Sequence, residues 1–278
     1  DTAGIPTALR LTNLRLLGEV IAGEKTFAAI AESLHDFARH QTNPAERTLL
    51  ENVDQCTDHL AQLSAADRED IRAVLATIVQ GQTLDVERFG DPDRLVSLQT
   101  AAELEEYTWL VAGCVGDFWT RLGFRHAAPF ARKPPNEMTA LGIEYGKGLQ
   151  LINILRDRSA DLRAGRNYFP AEEMATLPES EVFTRWLGKA EKQIAAGLDY
   201  CLSLTNWRLR FATALPALIG ARTLALVRAA GAGGGANKIK VSRQEVRRML
   251  AMALLAAASP HALRALFERL GTERELAG

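Results

Sequence analysis

Apolar residues return at helical spacing along almost the whole chain. That period predicts helices over 7–21 (TALRLTNLRLLGEVI), 27–40, 47–63, 68–89 and 101–124. It predicts more over 149–170, 180–204, 211–230 and 242–258, and an amphipathic segment, PHALRALFERLGTEREL, follows at 260–276. Prolines fall mostly between these segments, and alternating strand patterns are almost absent. The expected fold is therefore all-α. Several helices are apolar on more than one face, which predicts buried central helices ringed by others. No internal repeat and no shift of composition divides the chain, so one domain over 1–278 is expected. The stretch GAGGGANK (231–238) reads as a loop.

One helix departs from the apolar pattern. LQLINILRDRSADLRAGRNYFP (149–170) puts Gln150, Asn153, Asp157 and Asp161 among Leu149, Leu151, Ile152, Ile154 and Leu155. At about 100° per residue, with Gln150 at zero, Asn153 falls near about 300°, Asp157 near about 340° and Asp161 near about 20°. Gly146 falls in the same arc, at about 320°. Two carboxylates at i and i+4 repel, and burying them without a partner is costly. A cation resolves this. Mg²⁺ takes one or two carboxylates, keeps waters and bridges to phosphate oxygens. Arg156, Arg158, Arg163 and Arg166 surround the stripe and could hold the remaining phosphate charge. The alternative is a solvated face of paired charges.

Composition narrows the partners. The chain has 278 residues and a net charge of −1, with 47% apolar residues. Near-neutral charge gives no electrostatic case for nucleic acid. Cys56, Cys114 and Cys201 are widely spaced and read as buried thiols in a reducing compartment. His35 and His40 are on different helix faces and make a poor metal pair. Trp109, Trp119, Trp186 and Trp207 read as packing residues. No apolar run reaches about 18 residues, and no signal peptide is visible. A cytoplasmic location follows, with peripheral membrane contact through 260–276 as the furthest extension. Oligomeric state is not legible.

The segment GKGLQLINILRDRSADLRAGRNYFP resembles the second aspartate-rich segment of the squalene/phytoene synthases. EEYTWLVAGCVG (105–116), RFATALPALIGARTLALV (210–227) and IKVSRQEV (239–246) are similar to further family segments in the same order, the last two to the squalene synthase branch. The resemblance implies a single isoprenoid-synthase helical domain with a central cavity. It also implies head-to-head joining of two farnesyl diphosphates through presqualene diphosphate to squalene, with Mg²⁺ and NADPH. A phytoene or dehydrosqualene synthase, which omits hydride transfer, and a non-catalytic helical assembly protein of the same fold stay open.

By the same resemblance, Asp157 and Asp161 are Mg²⁺ ligands, and Gln150, Asn153 and Arg166 bind substrate diphosphate. Arg156 pairs with phosphate, Tyr107 assists proton removal, and Phe211 lines the later cation. Lys238, Lys240 and Arg243 are candidates for an NADPH phosphate. They are equally a basic turn before a helix capped by Ser242 and Glu245. The glycine run is not a dinucleotide fingerprint, because no strand precedes it. The family's first aspartate-rich motif is not found. DTAGIP is expected to be its tail, with Asp1 as its last aspartate and the rest upstream of this numbering.

Overall fold

The computed structural model describes residues 5–91, 93–233 and 239–272. Contacts divide the chain into two compact units, Asp1–Arg94 and Leu95–Gly278, where the pattern predicts one undivided domain. Ala- and Leu-rich helices occur on both sides of the division, so composition does not mark it. Asp1 and Lys238 lie outside the described residues, as does most of the glycine run.

The first unit holds α1 (Thr7–Ala22), a 3₁₀ turn (Phe27–Ala29), α2 (Ala31–His40), α3 (Pro44–Glu51), α4 (Val53–Gln62) and α5 (Ala65–Phe89). α1 packs along α5, and the Thr7 hydroxyl donates to the Gly90 carbonyl at 2.6 Å. The single helix expected over 47–63 is two. Asn52 leaves helical geometry at φ −119°, and its amide donates back to the Thr48 carbonyl at 2.7 Å. Such local side-chain bonds compete with helix continuation.

The second unit comprises β1 (Val96–Ser97), α6 (Ala101–Thr108), α7 (Cys114–His126), α8 (Pro135–Arg163), β2 (Arg166–Asn167), α9 (Ala171–Met174), α10 (Glu179–Ser203), α11 (Trp207–Ala230), α12 (Arg243–Ala256) and α13 (Pro260–Thr272). Its centre is α8, which packs against α10, α7 and α11. α8 starts with Pro135 in its first turn, where a missing N–H costs nothing. Leu151, Ile152, Ile154 and Leu155 bury its inner face. The helix stops at Arg163, short of the expected 170. Gly165 turns the chain at φ 77°, a conformation that favours glycine. Residues 166–167 then pair parallel with 96–97.

Between α6 and α7 the pattern predicts unbroken helix, but Trp109–Gly113 is a π-helical turn. Single π turns inside α-helices often mark functional places. Here the turn carries the Ala112 carbonyl against α8: a Cβ on Gly146 would stand 2.2 Å from that oxygen. One turn away, a Cβ on Gly116 would meet the Gly142 carbonyl at 1.9 Å. Two backbones therefore touch where α8 crosses α7 and the π turn, and only glycine fits.

Three expectations need correction. Cys114 and Cys201 are buried, but Cys56 is exposed. Trp186 is buried, whereas Trp109, Trp119 and Trp207 are between 41% and 45% exposed, too open for simple core packing. By length and composition α11 is apolar enough to cross a membrane, although no such run was expected. Some 56% of its most apolar window is buried inside the protein, as in a core helix. The cap of α12 forms as expected: Glu245 N–H donates to the Ser242 hydroxyl at 3.1 Å, and Ser242 N–H to the Glu245 carboxylate at 3.0 Å.

Candidate functional site

The polar stripe survives folding. Gln150, Asp157 and Asp161 are half-buried and Asn153 is exposed, while their neighbours Leu151, Ile152, Ile154 and Leu155 are buried. Arg156 is the cation resident in the stripe. Its Nε donates to Asp157 Oδ1 at 2.9 Å, and a second, shorter bond links the same two side chains. Both are about one-third exposed. The hydrogen bond to Asp157 holds the Arg156 guanidinium above its ordinary pKa against the opposing effect of burial, and the charges of Asp157 and Asp161 add to it.

The four arginines around the stripe divide by task. Arg158 is buried and its guanidinium is held by the scaffold. It donates to Glu179 at 2.6 Å and to Asn167 at 3.2 Å, and its guanidinium lies 4.2 Å from the Phe169 ring centre. Arg163 is exposed. Arg166, in β2, shares the wall of a small cavity of about 10 Å³ with Asp161, Arg158, Ile154, Tyr168 and Phe169. Tyr168 in turn stacks on Tyr107 of α6, with ring centres 5.1 Å apart and planes at 23°. Bonds from Val96 N–H to Gly165 O (2.9 Å) and Leu98 N–H to Asn167 O (3.0 Å) hold this corner in place. The structure thus brings together Asp157, Asp161, Arg156, Arg166 and Tyr107. Tyr168 was quoted in the sequence segment but given no role.

A larger cavity of about 370 Å³ opens beside the stripe, walled by Val111, Ala112, Val115, Gly116 and Trp119, by Gly142, Tyr145, Gly146 and Leu149 of α8, by Tyr200, and by Ala212, Thr213 and Pro216 of α11. The wall is almost wholly apolar because its two tyrosines turn their hydroxyls to partners. Tyr145 donates to the Thr213 carbonyl at 2.8 Å, and Tyr200 bonds the Thr120 hydroxyl at 3.0 Å. Burial raises the Tyr145 phenol well above its ordinary pKa and pushes that of Tyr200 up to about 12, so both stay neutral. Phe211 is half-buried on α11 and is not part of this lining. Its neighbour Ala212 is part of it, and the rings on the cavity are Trp119, Tyr145 and Tyr200. The glycine spacing of 113, 116, 142 and 146 was the available signal for the helix crossing beside it.

Lys240 and Arg243 are exposed on either side of the Ser242 cap and do not line this cavity. Among the described residues no three His, Cys, Asp or Glu side chains converge as a metal cluster. The stripe instead supplies two carboxylates and two amides from one helix. That is an all-oxygen donor set suited to a hard cation that keeps waters and completes its shell from a phosphate. Asp1, the expected further ligand, is outside the described residues.

Residues 15–248 match the family model described as squalene/phytoene synthase. A 15-cis-phytoene synthase of Synechococcus elongatus is 30% identical over 175 residues, 56% of this chain and 57% of that protein. Squalene synthase ERG9 of Gibberella zeae is 28% identical over 135 residues, 48% of this chain and 28% of that protein. The matched stretch thus spans little more than half of the first relative and under a third of the second. Among solved structures, the complex of TcSQS with the ligand BPH1237 superposes at a TM-score of 0.67 and 21% identity, over 98% of this chain and 83% of that one. A dehydrosqualene synthase in complex with a ligand superposes at 0.54 and 21%, over 89% and 84%. Both share the all-α fold.

Proposed function

The chain belongs to the squalene/phytoene synthase family, and from that premise we propose that it joins two farnesyl diphosphates head to head, through presqualene diphosphate, to squalene, with NADPH as hydride donor. One observation carries the reading. Along α8 the apolar cavity wall (Gly142, Tyr145, Gly146, Leu149) continues within a turn into the oxygen-donor stripe (Gln150, Asn153, Asp157, Asp161). A single helix so offers a dry groove for a prenyl tail and a polar end for its diphosphate. A non-catalytic assembly protein has no need of either half.

Each residue has a task. Asp157 and Asp161 would hold Mg²⁺, with Gln150 and Asn153 toward its waters or the diphosphate oxygens. The bound metal supplies Lewis-acid assistance to diphosphate departure. Arg156, which pairs with Asp157, would offer its guanidinium to the phosphate oxygens. Arg166, beside Asp161, faces the same charge. Tyr107, stacked on Tyr168, stands near the diphosphate end to assist proton removal. Phe211 is the ring offered to the later cation, where an aromatic face is attractive, while the apolar wall excludes water from the cation. Lys240 and Arg243 offer exposed positive charge to an NADPH phosphate.

The second reading, a phytoene or dehydrosqualene type without hydride transfer, is favoured by the 30% identity to a phytoene synthase. Incubation with farnesyl diphosphate and Mg²⁺, with and without NADPH, followed by hydrocarbon analysis separates the two. Squalene formed only with NADPH supports the first. A dehydrosqualene product regardless of NADPH replaces it with the second. Absence of turnover on farnesyl and geranylgeranyl diphosphates sinks both.

A further inference from the structure

The segment expected to reach a membrane, 260–276, turns its apolar stripe inward. Leu263, Leu266 and Leu270 of α13 are buried, and α13 packs along α11. The helix before it does the reverse. α12 buries Met249, Ala253 and Ala256, yet leaves Leu250, Leu254 and Leu255 exposed by 38%, 51% and 82%. At about 100° per residue these leucines share an arc of about 160° with Arg247, Arg248 and Ala251, all exposed as well. Charge on this face has one sign. Among the described residues neither Arg247 nor Arg248 has an ion-pair partner, and Glu245, the only acid of α12, is taken by Arg222 at 2.9 Å. The leucine end of α12 is tied to the first turn of α11, where Arg210 donates to the Ala257 carbonyl at 2.9 Å. That turn carries Trp207, 45% exposed, with the Arg208 guanidinium 5.4 Å from its ring centre. Such an amphipathic ring is favoured at the level of lipid headgroups.

We propose that the outer face of α12 docks the chain on an anionic lipid bilayer, its leucines entering the headgroup boundary and its arginines meeting lipid phosphates. A helix of this kind lies in the plane of the interface and binds through buried apolar area together with attraction to anionic lipid. One bilayer surface supplies both the apolar and the negative complement. A second copy of the chain offers the same arginines and no acid, so self-pairing leaves their charge unmatched. Docking needs no turnover and stands apart from the activity proposed above.

The test is co-sedimentation with vesicles of phosphatidylcholine mixed with phosphatidylglycerol, and of phosphatidylcholine alone. Wild type is expected to partition onto the mixed vesicles and only weakly onto the neutral ones. Arg247→Gln with Arg248→Gln should cut partitioning about 25-fold, at about fivefold per arginine. Leu254→Ser with Leu255→Ser should cut it at least about tenfold. Leu49→Ser with Leu95→Ser, leucines 65% and 64% exposed outside α12, should leave it unchanged. Should a paired variant fail to fold, hydrogen exchange on wild type reads the same face, with deuterium uptake over 247–255 slowed by the mixed vesicles. Absence of binding to the mixed vesicles overturns the proposal, as does equal partitioning onto neutral ones. An equal loss in the Leu49 and Leu95 pair, or unchanged uptake over 247–255 in bound protein, overturns it too. A dimer that Leu254→Ser with Leu255→Ser disperses, in a chain that binds no vesicle, assigns the face to a second copy instead.

Discussion

Replacing Arg158 by Met separates the scaffold arginine from those of the site. The substitution keeps most of the apolar stem and removes the guanidinium. The bond to Glu179 is to a carboxylate that is 47% exposed, so it contributes about 1 kcal/mol after solvent screening. The bond to Asn167 contributes about 1 kcal/mol. Its loss is softened because Asn167 Oδ1 still accepts from Phe169 N–H at 3.2 Å. The cation over Phe169 contributes about 1 kcal/mol. In the opposite direction, Arg158 Nε is buried without a partner, and removing it recovers about 1 kcal/mol. The net loss is about 2 kcal/mol, which in a unit of this size lowers Tm by about 4–8 °C. Scanning calorimetry checks the shift, and pyrophosphate binding with Mg²⁺ is measured in parallel at a temperature where the variant is folded. The reasoning predicts the fall in Tm with binding retained. An unchanged Tm with binding abolished would refute it and return Arg158 to the phosphate role.

Three further outcomes follow from named contacts. Gly146→Ala gains about 1 kcal/mol of helix propensity but drives a methyl into the Ala112 carbonyl, so a net loss of about 1–2 kcal/mol is expected in denaturant unfolding; a stabilised variant contradicts the close crossing. Burial opposes the charge on Glu245, yet the Ser242 amide, the Arg222 guanidinium and the Ser242 hydroxyl outweigh it and hold its carboxyl below the ordinary value. Its stabilisation is thus complete above the ordinary carboxylate pKa and lost as pH falls below it. The Tm gap between wild type and Glu245→Gln should accordingly shrink between about pH 7 and about pH 3, and a gap that widens on acidification contradicts the assignment. Burial pushes the Cys114 thiol up to about 11 and that of Cys201 higher still. Native thiol titration should therefore find Cys56 reacting first, with the other two released by denaturant; fast native reaction of all three disproves the burial.

The stripe was legible because its members lie on one helix, where spacing alone fixes their relative directions. The Ser242–Glu245 cap was legible for the same reason. Arg158 was misassigned to the phosphate although its angle held a clue: it lies about 60° beyond the edge of the stripe, toward the buried face of Leu151 and Leu155. The cavity could not be read, since Trp119, Tyr145, Tyr200 and Ala212 come from four helices whose crossing depends on backbone contact at Gly116, Gly142 and Gly146. Which residue of α11 meets the cavity was not legible either: Ala212 lines it and Phe211, about 100° away, does not. The π turn at Trp109–Gly113 leaves no mark in the apolar period, as one extra residue is absorbed within a turn.

The metal–diphosphate clamp is tested most directly by turnover of farnesyl diphosphate with Mg²⁺ in Asp157→Asn and Asp161→Asn. Each change removes one of two like charges, and Asp157 gives up only a pair with Arg156 that is about one-third exposed, so stability should stay within about 1 kcal/mol of wild type. The predicted result is loss of turnover in both variants with Tm nearly unchanged. Folded variants that turn over farnesyl diphosphate at the wild-type rate would contradict the assignment of the stripe to the metal.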